Sequence, residues 1–188
     1  MDALFVSTLA VAIAEIGDKT QLLALVLAAR YRKPWPIVAG ILVATLLNHA
    51  LAGWLGALVS GWLSPEVLRW GVVVSFLAVA AWALVPDKLD EDEAKAPRFG
   101  PFLATLVAFF IVEIGDKTQV ATVVLAAQYE PLWQVVAGTT LGMAVANVPV
   151  VLLGAAFAAK LPLKAARYAA AALFAGLGLW VAVMGLPA

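Results

Sequence analysis

Seven consecutive residues occur twice in this chain. Glu15-Ile16-Gly17-Asp18-Lys19-Thr20-Gln21 returns without a change as Glu113-Ile114-Gly115-Asp116-Lys117-Thr118-Gln119, 98 positions further on. The same offset lays Ala28-Ala29 on Ala126-Ala127, Tyr31 on Tyr129, Trp35 on Trp133, Val38-Ala39-Gly40 on Val136-Ala137-Gly138 and Leu55-Gly56 on Leu153-Gly154. A polar heptad kept twice in a chain that is 64% hydrophobic and 13% charged marks a duplication. The chain must fold as two copies of one unit.

Each copy holds three apolar stretches. A helical bilayer crossing needs roughly 20 predominantly apolar residues. Six segments qualify, at about 3–29, 36–59, 66–85, 101–127, 132–158 and 166–186. A soluble domain is about half apolar and a quarter charged, so a mean hydropathy of +1.00 puts the chain in the membrane class. Three spans per copy is an odd number, and the second copy therefore enters the bilayer from the opposite side. That is the inverted-repeat plan of many secondary transporters, whose substrate site lies near the midplane between the repeats. The expected fold is an all-α membrane protein with six transmembrane helices, arranged as two inverted three-helix repeats. It forms a single transmembrane domain over 1–188, with repeats at 1–86 and 101–188 and an acidic cytoplasmic linker at 87–100.

Nine of the twelve Lys and Arg residues lie in the loops after spans 1, 3 and 5: Arg30, Arg32, Lys33, Lys88, Lys95, Arg98, Lys160, Lys164 and Arg167. The opposite side holds Arg69 alone. The positive-inside rule places the nine-charge side in the cytoplasm and both termini outside. Only Met1-Asp2 precede the first span, which also carries acidic residues, so it is expected to be retained and not cleaved as a signal peptide. Asp87, Asp90, Glu91, Asp92 and Glu93 in the linker read as a solvated connection; the other reading is a cation-gathering patch. Lys+Arg and Asp+Glu, 12 each, leave no nucleic-acid footprint. The absence of cysteine excludes disulfides and thiolate metal sites, and a single histidine cannot build a multi-imidazole zinc centre.

The heptads put Glu15, Asp18 and Lys19 in the middle of span 1, and Glu113, Asp116 and Lys117 in the middle of span 4. Each charge at the centre of a membrane helix costs about 2.5–3.5 kcal/mol on insertion scales, so all six should face the bundle interior or a cavity. Pairing Glu15 with Lys19 and Glu113 with Lys117, each i,i+4, accounts for one carboxylate per helix and leaves the aspartates to be explained. The i,i+3 spacing of Glu15 and Asp18 places both carboxylates on one face, with Gln21 one turn on. Gly17 between them weakens the helix and allows an unwound turn. With Glu113, Asp116 and Gln119 from the other copy, the set is four carboxylates and two amide oxygens, all hard donors. Oxygen-only ligation suits Ca²⁺, Mg²⁺ or Mn²⁺.

Four carboxylates against the ammonium groups of Lys19 and Lys117 leave a net charge of −2. One divalent cation neutralises that, and so do two protons. A buried carboxylate that loses its metal is stabilised by taking up a proton, and a site serving either occupant is what an exchanger needs. The lysines either set the resting charge or move as internal counter-ions. Thr20 and Thr118 are divided between supporting the carboxylates and back-bonding to their own helices. Thr45, Asn48 and His49 in span 2 and Asn147 in span 5 are polar positions near span centres, with His49 on Asn147 by the offset. They read either as helix–helix hydrogen bonds or as cavity lining that relays protons, His49 being the one side chain suited to proton exchange near neutral pH. Met143 reads as core packing, or as a soft ligand favouring Mn²⁺ over Ca²⁺.

Two copies of E-x-G-D-[KR]-[ST], in inverted three-helix halves joined by an acidic loop, resemble the GDT-type cation exchangers. That family includes Golgi manganese/calcium transporters, chloroplast manganese transporters and bacterial manganese exporters. The resemblance covers nearly the whole chain. It implies six helices, Mn²⁺ and Ca²⁺ as substrates, exchange against protons, and Glu15, Asp18, Glu113 and Asp116 in the cation path. The absence of a leader and the brief central loop suggest a compact prokaryotic plasma-membrane member. The expected function is a secondary transporter that exports Mn²⁺, or Ca²⁺, in exchange for protons. The cation is cargo; no cofactor and no enzymatic activity are expected, and its partners are cation, proton and lipid bilayer. Two alternatives remain: a LysE-like exporter of small solutes, which needs one or two charges and not four carboxylates, and a non-transporting membrane scaffold.

Overall fold

The computed structural model describes residues 2–86 and 100–186, and every regular element among them is a helix. In order these are α1 (Ala3–Glu15), α2 (Lys19–Tyr31), α3 (Pro34–Trp62), α4 (Pro65–Ala83), α5 (Pro101–Glu113), α6 (Lys117–Gln128), α7 (Leu132–Leu153), α8 (Ala155–Ala158) and α9 (Leu163–Met184). Four of them, α3, α4, α7 and α9, are long and apolar enough to cross a membrane. Phe5, Leu47, Trp54, Val74, Val145 and Val183 are exposed on the bundle, a degree of outward apolar surface that a water-soluble monomer avoids. The chain is a multi-pass helical membrane protein. Most of the acidic linker, residues 87–99, lies outside the described residues.

The first and fourth expected spans are not continuous. Each is divided into two helices of 12 or 13 residues. Gly17 and Gly115 take φ of +83° and +76°, the left-handed conformation that ends a helix and that a Cβ disfavours. Asp18 and Asp116 follow at once as N-caps, their carboxylates accepting from the backbone N–H of Thr20 and Thr118 at 3.3 and 3.4 Å. Glycine and aspartate are therefore a helix stop and a helix start in adjacent positions.

The fifth expected span, 132–158, is also divided. Gly154, at φ +71°, ends α7, and α8 is one turn long. The segment beyond it folds against the first heptad. Phe157 and Leu161 share a small space with Ile13, Ile16 and Gln21, and a Cβ on Gly17 would meet Leu163 Cδ2 at 2.8 Å. Gly56, the counterpart of Gly154, leaves α3 unbroken; a Cβ there would lie 2.2 Å from the Val123 carbonyl.

Small residues let the two copies interlock. α1 packs on α7, where a Cβ on Gly138 or Gly142 would lie 2.6 Å from the Leu4 or Thr8 carbonyl. α5 packs on α3 in the same way, with Gly40 against Phe102 O and Thr105. Each broken segment thus rests on the long helix of the other copy. The last helix of each copy, α4 and α9, form a pair in which Phe76 and Phe174, themselves 98 residues apart, stack at 6.1 Å. Arg69 near the start of α4 donates to the carbonyls of Val181 and Ala182 near the end of α9, so the two run antiparallel and a cation caps a helix C-terminus.

Candidate cation site

The two interruptions meet inside the bundle. Glu15 is the last residue of α1 and Glu113 the last of α5; both are fully buried, and Asp18 and Asp116 are nearly so. One oxygen each of Glu15, Glu113 and Asp116 lie within 4.8 Å of one another. Asp18 joins them through Lys117, whose Nζ lies 2.5 Å from Asp18 Oδ1. The reciprocal pair, Lys19 Nζ to Asp116 Oδ1, is 3.9 Å apart. Pairing of each lysine with the glutamate of its own heptad, expected from i,i+4 spacing on a continuous helix, gives way to pairing with the aspartate of the other heptad. The break redirects each lysine into a new helix and across the interface.

Within each heptad the threonine ties the two carboxylates together. Thr20 Oγ1 donates to Glu15 Oε2 at 2.5 Å and lies 3.4 Å from Asp18 Oδ2. Thr118 Oγ1 is 3.3 Å from both Glu113 Oε2 and Asp116 Oδ2. Of the two readings open for these residues, the geometry is that of carboxylate support. In the N-terminal turn of a capped helix the hydroxyl faces back toward the preceding segment, which angular spacing on an unbroken helix does not anticipate.

The glutamines brace the breaks. Gln21 Oε1 accepts from the Gly17 N–H at 2.9 Å, and Gln119 Oε1 from the Gly115 N–H at 2.7 Å. Each carbonyl oxygen keeps a second lone pair that a cation can use. The amide nitrogens reach matching points on the long helices, Gln21 Nε2 to Ala146 O at 2.9 Å and Gln119 Nε2 to Asn48 Oδ1 at 2.5 Å. Positions 48 and 146 are 98 apart. Asn48 Nδ2 also donates to Phe110 O, a carbonyl left over because α5 ends at Glu113. This bracing went unread in the sequence, although glutamine four residues after a helix-ending glycine is the signal for it.

The polar residues of the long helices stand against the glutamates of the opposite copy. Asn147 Nδ2 is 3.5 Å from Glu15 Oε2 and also donates to Met143 O and Sδ at 3.1 and 2.9 Å. His49 Nε2 is 3.9 Å from Glu113 Oε2. Glu15 Oε1, Glu113 Oε1, both His49 ring nitrogens, Thr45 Oγ1 and Asn147 Oδ1 are buried with no hydrogen-bond partner among the described residues. The unpartnered carboxylate and amide oxygens among these atoms are a donor set that a cation can use.

The surroundings of the two heptads are unequal. On the Gln21 side, Leu163 and Arg167 line a cavity of about 150 Å³ beside Gly17, and Phe157 and Leu161 line another of about 190 Å³. Gly115 is exposed, with nothing within 4 Å of where a Cβ would be. A larger cavity, about 570 Å³, lies at the far end of α6 between Ser60, Gln128, Tyr129 and Glu130 and touches none of the four clustered carboxylates.

The family model for the divalent cation/proton antiporter GDT1 matches residues 3–91 and 101–187. A Vibrio cholerae protein named "Putative manganese exporter" is 59% identical over 93% of the chain and 87% of its own length. A GDT1-like protein of Synechocystis is 28% identical over 83% of the chain and 84% of its own length. The rice GDT1-like protein 3 is 27% identical over 93% of the chain and 71% of its own length. No solved structure matches the chain.

Proposed function

Since the chain belongs to the GDT1 family of divalent cation/proton antiporters, we propose that it moves Mn²⁺ out of the cytoplasm in exchange for protons, with Ca²⁺ as the competing substrate. Membership makes it a membrane transporter of divalent cations and not an enzyme. The observation that carries the finer reading is the cross-copy cluster of Glu15, Glu113 and Asp116, joined to Asp18 by Lys117.

In this reading α1–α2 and α5–α6 form the two remaining crossings in series, giving six crossings as two inverted repeats, 1–86 and 101–188, with the linker 87–100 in the cytoplasm. The antiparallel α4–α9 pair supports inversion, because equivalent helices of a parallel repeat would run the same way. The Lys and Arg count supports a plasma-membrane protein with both termini outside.

The ion binds the four carboxylates, with Gln21 and Gln119 oxygens in reach and Thr20 and Thr118 orienting the acids. The lysines are internal counter-ions. When M²⁺ arrives, its two positive charges replace the ammonium contacts at Asp18 and Asp116; when it leaves, two protons and the lysines restore neutrality. One M²⁺ moving one way for two H⁺ moving the other keeps the buried charge constant, which limits the desolvation cost of every step. The unequal cover of the two heptads supports alternating access. Leu163 and the turn after Gly154 pack beside Gly17 and have no counterpart over Gly115, and the opposite state exchanges that packing for one over Gly115.

Purified protein in proteoliposomes, given Mn²⁺, Ca²⁺, Mg²⁺ or Na⁺ under an imposed pH gradient, tests the reading. Mn²⁺ movement with counter-flow of protons is expected. Mn²⁺ flux indifferent to the pH gradient removes proton exchange, and sodium-driven flux replaces it.

A further inference from the structure

His49 is fully buried on α3, and neither ring nitrogen has a hydrogen-bond partner among the described residues. An imidazole left so in a protein interior is costly and calls for a partner. Its Nε2 lies 3.9 Å from Glu113 Oε2, too far for a hydrogen bond. That spacing suits two donors on one ion, since ligands at about 2.0–2.2 Å from a metal stand roughly 3 to 4 Å apart. Glu113 in turn shares the 4.8 Å cluster with Glu15 and Asp116, and His49 stands at the edge of that set, beside Glu113 and outside the 4.8 Å group itself. We propose that His49 Nε2 is a direct ligand of the transported ion, and that it selects first-row transition-metal dications over Ca²⁺ and Mg²⁺. This rests on the carboxylate cluster being the cation site.

The two copies differ here, and the difference is informative. The counterpart position holds Asn147, whose amide nitrogen is engaged with Met143 and Glu15. Only one half of the site offers an imidazole, so the donor set is mostly carboxylate with a single nitrogen. An all-oxygen site favours the hard alkaline-earth ions, whereas imidazole suits first-row transition metals. One nitrogen among carboxylates shifts the balance toward Mn²⁺ without building the multi-imidazole site that would retain Zn²⁺. Thr45, one turn earlier on the same face of the helix, is also buried with an unpartnered hydroxyl.

Because His49 is the single histidine of the chain, ¹⁵N-histidine labels one site. The full-length protein in nanodiscs is loaded with Mn²⁺ and studied by pulsed electron paramagnetic resonance. A ¹⁴N coupling that becomes a ¹⁵N coupling on labelling is expected. Absence of nitrogen coupling to bound Mn²⁺, or a ¹⁴N coupling that persists after labelling, overturns the proposal. In flux competition, His49→Gln should lower Mn²⁺ affinity relative to Ca²⁺ by about tenfold. His49→Asn, which copies the other half, serves if that variant does not fold. An unchanged Mn²⁺ to Ca²⁺ ratio in a folded variant also overturns it. Glu113→Gln keeps the two ideas apart: Mn²⁺ affinity unchanged by this substitution removes the carboxylate site itself, whatever His49 does.

Discussion

Lys117 Nζ sits 2.5 Å from Asp18 Oδ1, while the equivalent Lys19 stands 3.9 Å from Asp116. The two pairs are related by the duplication, yet one is tight and sealed and the other is loose, with the Lys117 side chain 3% exposed and that of Lys19 18%. Identical sequences thus stand in two different surroundings. The buried pair is also the more expensive one to break, because the carboxylate it leaves behind has lost its counter-charge in a low-dielectric setting.

Lys117→Gln is therefore expected to destabilise the metal-free protein by roughly 3 kcal/mol, and Lys19→Gln by much less. Mn²⁺ should recover part of the loss in Lys117→Gln, since a ligand that binds only the folded form stabilises it. Thermal unfolding with and without Mn²⁺ measures both effects. Equal losses in the two variants would mean that the asymmetry has no energetic content.

Asp18→Asn or Asp116→Asn removes one charge at nearly constant shape. The site then carries −1, and a bound divalent ion leaves an excess positive charge inside the bundle. Such a charge costs several kcal/mol, and 1.4 kcal/mol is a factor of ten, so Mn²⁺ flux should fall at least about tenfold in either variant. Full flux in both would make the aspartates helix caps and nothing more.

The duplication, the apolar spans and the heptad as the focus of buried charge are legible because they depend on composition and spacing alone. The lysine partners are not. Reading Glu15 and Lys19 as i,i+4 neighbours assumes an unbroken helix, and Gly17 with Asp18 ends one helix and caps another. The same assumption left Thr20 undecided and hid the bond from the Gly17 N–H to Gln21. Gly154 marks a different limit. It breaks α7, whereas Gly56 at the same place in the first copy lies within α3 against Val123. Pro149 loosens α7 just before Gly154, where the first copy has Leu51, and the neighbours supplied by the rest of the fold hold Gly56 in place.

Glycine substitutions should sort by what a Cβ would meet. Gly56→Ala places it 2.2 Å from the Val123 carbonyl and Gly142→Ala 2.6 Å from that of Thr8. Both contacts are with backbone, so helices must separate and overpacking should cost about 1–3 kcal/mol or more. Gly71→Ala meets nothing within 4 Å in mid-helix and should stabilise by up to about 1 kcal/mol. Melting temperatures of the three variants in one detergent give the order directly.

Topology can be tested because the chain has no native cysteine. With the Lys- and Arg-rich loops inside, Ser64→Cys should react with a membrane-impermeant maleimide applied to intact cells, and Lys160→Cys only after permeabilisation. Labelling of Lys160→Cys from outside would invert the assigned direction of transport.

Metal and protons that share the same carboxylates must compete, and the sign of the pH effect follows. Each bound M²⁺ displaces the protons that neutralised the site, so raising pH, which removes those protons beforehand, should tighten apparent Mn²⁺ affinity. If two protons leave per ion, log affinity rises with pH with a slope approaching about 2 where the acids are protonated, and flattens once they are ionised. Asp116→Asn leaves the site at −1, which one proton neutralises, so its slope should fall toward about 1. Titration calorimetry in buffers of different ionisation enthalpy counts the released protons independently of flux. Mn²⁺ affinity that is flat between acid and neutral pH in the unaltered protein, with no proton release, would separate metal binding from proton exchange. The carboxylates would then bind the cation, and coupling would need another group.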